Sequence, residues 1–252
     1  MLFRSVTTKD VFLHIAGTHG DHATQNVEFG GPALPGLGMN ARKTLSTMGA
    51  ELSAEFATFE ADAVLDAYMK GCGVTDYQPV HPDRDAEYVA VRRVDLSAME
   101  PLVALPDSVL NNSRPVGEVA GTPVHQAFIG SCANGTLDDL ALAARVLKGR
   151  KVSPETRLIV TPASQHVYRQ ALRAGVIEVL AEAGAVITNP TCGACGGSHL
   201  GLIGPEENCI TASTRNFKGR MGDPSSKVFM ASPATVAASA IRGAIEIGRA
   251  HV

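Results

Sequence analysis

The sequence predicts an α/β protein with a mainly parallel sheet covered by helices, and three observations support this fold class. Strand-like and helix-like segments alternate along the second half of the 252-residue chain. Apolar residues make up 45% of the sequence and charged residues 19%, as in a folded globular protein. Twenty-five glycines and no tryptophan fit a loop-rich α/β protein better than an aromatic binding surface. We expect two domains, at 6–96 and 123–245, joined by a proline-rich linker at 97–122.

The second domain contains most of the alternating elements. Strands are predicted at 124–129, 157–161, 185–188, 209–212 and 227–231, and helices at 136–147, 164–174, 177–183 and 233–244. Thr136 and Asp139 have the spacing of a capping box, and Ser232 followed by Pro233 is typical of a helix start. In such a sheet, ligands bind beyond the carboxyl ends of the strands.

The first domain is predicted to be helix-rich. Helices are expected at 8–16, at 40–53 with Asn40 as the capping residue, and at 61–70. The two ends, 1–5 and 246–252, resemble translated adapter sequence and do not enter the fold prediction.

Charge and cysteine content exclude several classes of function. The net charge is −3 and no long run of Lys or Arg occurs, so the sequence predicts neither nucleic-acid binding nor binding to an anionic membrane. No apolar stretch reaches the length of a membrane span. The five cysteines are an odd number, and the start of the sequence has no signal-peptide pattern, which predicts reduced thiols in the cytoplasm. Cys72 and Cys209 are expected to be small buried residues.

Two cysteine-containing loops follow predicted strands. Cys132 lies in Gly-Ser-Cys-Ala-Asn-Gly, just before a predicted helix, where backbone amides favour negative charge. Cys192 and Cys195 form a C-x-x-C pair in a glycine-rich loop. Such a pair occurs in redox centres, zinc half-sites and iron–sulfur sites, and a zinc site could take His199 as its fourth ligand. With Cys132, the pair could provide three thiolates for a [4Fe–4S] cluster, leaving one iron free to act as a Lewis acid.

A third loop contains two arginines, Arg215 and Arg220. Each guanidinium group can bind a carboxylate through two parallel hydrogen bonds, so the pair suits a di- or tricarboxylate substrate. The alternative interpretation, a solvated basic loop, fits Lys218 better than the arginines.

These three loops, together with the segment 227–240, resemble the aconitase superfamily, in particular the large subunits of its 3-isopropylmalate dehydratase and homoaconitase branch. The resemblance covers 6–245 and implies domains of the three-layer αβα type. It also implies a [4Fe–4S] cluster on Cys132, Cys192 and Cys195, with Arg215 and Arg220 at the substrate carboxylates. Glu51 falls on the family's Asn-Met-Gly-Ala-Glu segment and is implied to be catalytic.

The resemblance further implies an N-terminal domain absent from this sequence, and a separate small subunit that supplies a catalytic serine. The chain alone is therefore expected to be inactive. Three positions depart from the family pattern: Thr47, Ala133 and Thr214. Side chains near a cluster tune it through hydrogen bonds, so these departures bear on which substrate is bound and on whether the cluster is retained.

The resemblance implies, as the leading functional hypothesis, a hydro-lyase that converts 2-isopropylmalate to 3-isopropylmalate in leucine biosynthesis by dehydration and rehydration. A homoaconitase or aconitase activity is the neighbouring alternative. A protein that binds metal without a cluster and has no enzymatic activity is the alternative from a different class.

Overall fold

The computed structural model of the chain describes residues 6–198 and 200–248. Its helices are α1 (Thr8–His19), α2 (Met39–Met48), α3 (Ala63–Gly71), α4 (Ser131–Asn134), α5 (Leu137–Leu147), α6 (Gln165–Arg173), α7 (Val176–Glu182) and α8 (Pro233–Arg242). Its strands are β1 (Asn26–Phe29), β2 (Phe56–Phe59), β3 (Leu102–Ala104), β4 (Ser113–Pro115), β5 (Gln126–Gly130), β6 (Arg157–Thr161), β7 (Val186–Ile187), β8 (Asn208–Thr211) and β9 (Lys227–Ala231).

The main sheet has seven strands in the order β4-β3-β9-β8-β5-β6-β7. The five strands from β9 to β7 are parallel, whereas β3 pairs antiparallel with both β9 and β4. The predicted α/β class with a mainly parallel sheet is therefore confirmed. Strands β1 and β2 form a separate parallel pair.

Alternating side chains of the central strands build a core on each face of the sheet. Ala127 and Ile129 of β5 pack with apolar residues of α5, α7 and α8. Phe128, between them, points to the opposite face, where it packs with Ala194 and Met221. A third core lies between α1, α2 and the edge of the sheet, and it includes Met230 of β9. Helices α5, α7 and α8 therefore cover one face, and α1, α2 and the loops that carry Ala194 and Met221 cover the other.

The segment 97–122 differs from the expected linker, because it contributes β3 and β4 to the edge of the main sheet. The Leu102 amide donates a hydrogen bond of 3.0 Å to Asp10 Oδ1, which ties β3 to α1. These strands were not predicted because six prolines between 79 and 123 suggested a linker. Strands of three residues show little periodicity, and a strand at the sheet edge tolerates proline. The division into domains at 6–96 and 123–245 stays a prediction.

Three local predictions in the first part of the chain are wrong. Gly38, rather than Asn40, caps α2, and the Asn40 side chain donates instead to Asp138 Oδ2 at 2.8 Å. Helix α2 ends at Met48, and a 3-10 turn at Gly49–Leu52 follows it. Cys72 is exposed rather than buried, whereas Cys209 is buried in β8 as expected.

Candidate active site

The candidate site lies where the connections of the sheet reverse direction. From β5 the chain moves outward on one side to β6 and β7, and it then returns to place β8 on the other side of β5. The loops that follow β5 and β8 therefore leave the sheet side by side, at the kind of position where parallel α/β sheets bind ligands. The loop after β5 carries Cys132, and the loop after β8 carries Arg215.

Cys132 is exposed in the one-turn helix α4, directly after β5. The chain leaves the strand through Gly130, with φ of 147°, and Ser131, with φ of 61°. Thr44 Oγ1 of α2 donates to the Ala133 carbonyl at 2.8 Å, which fixes α4 from the other side. The predicted capping box is confirmed, since the Thr136 and Asp139 side chains each accept a hydrogen bond from the other residue's backbone amide.

Cys192 and Cys195 lie in the loop after β7. Cys192 is exposed and Cys195 is buried, at 5% exposure. The Cys195 amide donates to the Cys192 carbonyl at 3.1 Å, and Gly193–Gly196 forms a 3-10 turn. A Cβ added at Gly193 would lie 2.4 Å from Thr161 Oγ1, so this turn packs closely on the end of β6.

The Cys195 thiol is surrounded by hydrogen-bonding groups from the loop after β8. Thr214 Oγ1 lies 3.6 Å from Cys195 Sγ, and Arg220 Nη2 lies 3.8 Å from it. Arg220 Nε also donates to the Cys195 carbonyl at 2.7 Å. Burial raises the pKa of the Cys195 thiol, but hydrogen bonds from Ser213, Thr214 and Arg220 outweigh it, and the net pKa lies below the usual value. This thiol is therefore predisposed to be a thiolate, the form that binds metals.

Arg215 contacts Glu51, the residue that the family resemblance had singled out. Arg215 Nε donates to Glu51 Oε1 at 2.8 Å, and the Glu51 side chain is only 15% exposed. Glu51 raises the pKa of Arg215, and electrostatic interactions with Cys195 and Cys132 act in the same direction. The structure thus brings Glu51, Arg215, Arg220 and Cys195 into one region, with Cys132 close enough to act electrostatically.

Lys9 is a residue of this region that the sequence analysis missed. Its side chain is completely buried, and burial lowers its pKa to about 8 against opposing electrostatic interactions with Asp139, Cys132, Cys195 and Glu51. One signal in the sequence pointed to it, because a lysine in the first turn of a helix is disfavoured by the helix dipole.

Two buried polar atoms beside Cys132 are available to bind a further group. Ser131 Oγ and Asn134 Oδ1, on either side of Cys132, are buried and have no hydrogen-bond partner among the described residues. Within 6–198 and 200–248, no group of three His, Cys, Asp or Glu side chains is compact enough to hold a single metal ion. A cluster spreads its cysteines over different irons, so its ligands lie farther apart than those of one ion. His199, the fourth ligand of the zinc alternative, lies outside the described residues.

The positions that depart from the family pattern have defined surroundings. Thr214 contacts Cys195, Ala133 is buried in the core formed with α1 and α2, and Thr47 is half-buried on α2. Of the three, Thr214 touches a predicted cluster ligand directly.

Comparison with known proteins identifies the family. The family model described as "Aconitase family (aconitate hydratase)" matches residues 2–118 and 109–243. The chain belongs to the aconitase family. The 3-isopropylmalate dehydratase large subunit of Mycolicibacterium smegmatis is 56% identical over 244 residues, a match that covers 97% of this chain and 58% of that protein.

Two further relatives of this aconitase-family chain carry related names. The 3-isopropylmalate dehydratase large subunit 2 of Archaeoglobus fulgidus is 44% identical over 96% of this chain and 59% of its own length. The probable methanogen homoaconitase large subunit of Methanothermobacter thermautotrophicus is 42% identical over 95% of this chain and 56% of its own length. The chain thus spans less than three fifths of the length of these curated relatives. In the described part of the chain, no helix is both long and apolar enough to cross a membrane.

Proposed function

We propose that this chain forms the iron–sulfur part of a hydro-lyase large subunit that isomerises a hydroxy-di- or tricarboxylate by dehydration and rehydration. The observation that carries this proposal is the gathering of Arg220 and Thr214 around Cys195, beside the Arg215–Glu51 pair. 2-Isopropylmalate is the proposed substrate and 3-isopropylmalate the product, because the 56% identical relative is named for that reaction. The 42% identical relative named homoaconitase makes a longer hydroxytricarboxylate the second candidate.

Cys132, Cys192 and Cys195 would hold a [4Fe–4S] cluster. The lowered pKa of the Cys195 thiol and the unpartnered buried atoms beside Cys132 fit such a group. When bound through three cysteines, the cluster supplies one iron without a protein ligand, which serves as a Lewis acid toward substrate oxygen atoms.

Arg215 and Arg220 would bind the substrate carboxylates. Among the described residues, Glu51 engages Arg215 only through Nε, so the terminal N–H groups of Arg215 stay free for a carboxylate. Arg220 Nε donates to the Cys195 carbonyl and Nη2 lies against Cys195 Sγ, which would leave Nη1 for a carboxylate. Two fixed guanidinium groups suit a substrate with at least two carboxylates.

Glu51 is the proposed catalytic residue of this chain. Its Oε1 accepts the hydrogen bond from Arg215, which leaves Oε2 to accept or return the proton of a substrate hydroxyl. The ion pair keeps this carboxylate oriented while substrate binds and leaves.

A small subunit is the proposed protein partner, since the relatives are named as large subunits. That subunit would supply the serine base and much of the pocket for the substrate side chain. Neither nucleic acid nor membrane is a proposed partner, and the proposed location is the cytoplasm.

A chimera tests the proposed function. Residues 6–245 replace the matching segment of the Mycolicibacterium smegmatis large subunit, which is assembled with that organism's small subunit and loaded anaerobically. We expect the chimera to isomerise 2-isopropylmalate, and the chain alone to give no turnover. A chimera that folds, assembles and holds a cluster but turns over neither isopropylmalate nor homocitrate would refute the proposal.

Arg215→Lys in this chimera is expected to lower kcat/KM by roughly 10- to 100-fold, because lysine keeps the charge but loses the planar fork. Steady-state kinetics measures the effect. Lys218→Ala, on the exposed part of the same loop, is the matched control and should leave kcat/KM unchanged. Equal kinetics for wild type and Arg215→Lys would exclude Arg215 from substrate binding.

A further inference from the structure

The ammonium group of Lys9 is buried beneath the candidate site in surroundings that solvate it poorly. Nζ donates to the Ser213 carbonyl at 3.0 Å, and its other neighbours are Met48 Sδ at 3.4 Å and Met230 Sδ at 4.0 Å. Among the described residues, no carboxylate lies within ion-pair distance of this group. Burial of a charge with one oxygen acceptor and two weak sulfur acceptors lowers the free energy of unfolding, so Lys9 destabilises the fold.

Lys9 binds Ser213, and the two residues that follow Ser213 both make contacts in the site. The Ser213 amide donates a hydrogen bond to Thr211 Oγ1 at 3.0 Å, and the Thr211 hydroxyl donates one to Ser213 Oγ at 2.8 Å. Lys9 holds the remaining backbone group, the carbonyl. The next residue, Thr214, contacts Cys195, and Arg215 contacts Glu51. The conformation of this loop therefore depends on a hydrogen bond from α1.

The charge of Lys9 also acts on the site directly. Cys132, Cys195 and Glu51 all interact electrostatically with its ammonium group, together with Asp139 of α5. The Ser213 carbonyl that binds Nζ precedes Thr214, which contacts Cys195, so the ammonium group lies close to this thiol in space.

We infer that Lys9 is a positioning residue, which fixes Ser213–Arg215 through its hydrogen bond and places a positive charge beneath the proposed cluster. The second half of this inference rests on the proposed function, whereas the first half concerns this chain alone. The mechanism proposed above does not otherwise involve α1.

Amide hydrogen exchange of the full, cluster-free chain tests the positioning role. Lys9→Met keeps an unbranched side chain of nearly the same length. In this variant the amides of Ser213 and Asp107, which hydrogen-bond to Thr211 Oγ1 and to the Asn216 carbonyl, should exchange about tenfold faster, as expected for the loss of one charged hydrogen bond. Lys9→Gln keeps an N–H donor without the charge and should exchange more slowly than Lys9→Met. Lys43→Met, at an exposed lysine of α2, is the control and should match wild type. If both Lys9 variants fold and exchange at the wild-type rate, the inference is overturned. If only one of them folds, exchange at the wild-type rate in that variant also overturns it.

The reduction potential of the reconstituted cluster tests the charge role. Removing a nearby positive charge makes reduction harder, so Lys9→Met and Lys9→Gln should both have lower potentials than wild type, whereas Lys43→Met should not. An unchanged potential in both Lys9 variants would overturn the charge role. A wild-type chain that assembles no cluster would instead contradict the proposed function, and the exchange measurement would then decide the case for Lys9.

Discussion

Gly130→Ala is expected to destabilise the protein by on the order of 3 kcal/mol or more, since it combines backbone strain with a steric clash. Gly130 has φ of 147°, a conformation that residues with a Cβ rarely adopt. An added Cβ would lie 2.2 Å from the Thr161 carbonyl oxygen and 2.8 Å from the Thr161 amide nitrogen. Both atoms belong to strand β6, which is paired on both sides, so neither can move away easily. Urea denaturation measures the change in unfolding free energy.

The matched control is Gly117→Ala. Gly117 lies in a 3-10 turn, and an added Cβ there would meet nothing within 4 Å. This variant should stay within about 0.5 kcal/mol of wild type. Equal stability of the two variants would show that β5 and β6 do not end in the close contact described above.

The pH dependence of stability should reveal the buried ammonium group of Lys9. Its pKa is lowered from 10.5 to about 8, mainly by burial, so between these pH values the unfolded chain binds more protons than the folded one. Unfolding free energy therefore rises with pH across this window. The full shift corresponds to about 3 kcal/mol gained by pH 10.5. Lys9→Met lacks this gain and should be at least as stable as wild type at neutral pH.

The difference between wild type and Lys9→Met isolates the contribution of Lys9. Cys209 acts in the opposite direction in part of this range, because burial raises its pKa from 9.0 to about 12, but it is present in both proteins. Urea denaturation at pH 8 and at pH 10.5 should show wild type gaining about 3 kcal/mol relative to the variant. A difference that stays constant across the window would mean that the lysine is solvated.

Sequence patterns predicted the second half of the fold well because each element there carries its own local signal. Strands β6 and β9 have the predicted bounds, and Ser232 accepts the hydrogen bond from the Thr235 amide that caps α8. Their apolar runs are fully buried in the parallel sheet, and their helices begin at conventional capping residues.

Strands with little local signal were missed. Strands β1 and β2 contain four residues each and pair with one another across about 30 residues of sequence, so nothing within either stretch identifies the partner. Strands β3 and β4 are stabilised at the sheet edge by β9 and by Asp10 of α1, both distant in sequence. Such elements depend on tertiary contacts rather than on propensity.

In the candidate site, too, some residues could be located from local sequence patterns, whereas others depend on tertiary packing. Cys132, Cys195 and Arg215 could be placed at the sheet edge because each follows a predicted strand. The Arg215–Glu51 pair spans 164 positions and follows only from the tertiary packing that brings the 3-10 turn after α2 to the loop after β8. Lys9 was overlooked for the same reason, since its role depends on what packs over α1.

Anaerobic reconstitution of cysteine variants tests the central claim most directly. Wild type should incorporate iron and sulfide and develop a broad visible absorption band. Cys132→Ala, Cys192→Ala and Cys195→Ala should each lose that band, while Cys72→Ala, at an exposed cysteine outside the site, should keep it. Retention of the full band and iron content by any of the three site variants would contradict the claim that these thiols together hold one cluster.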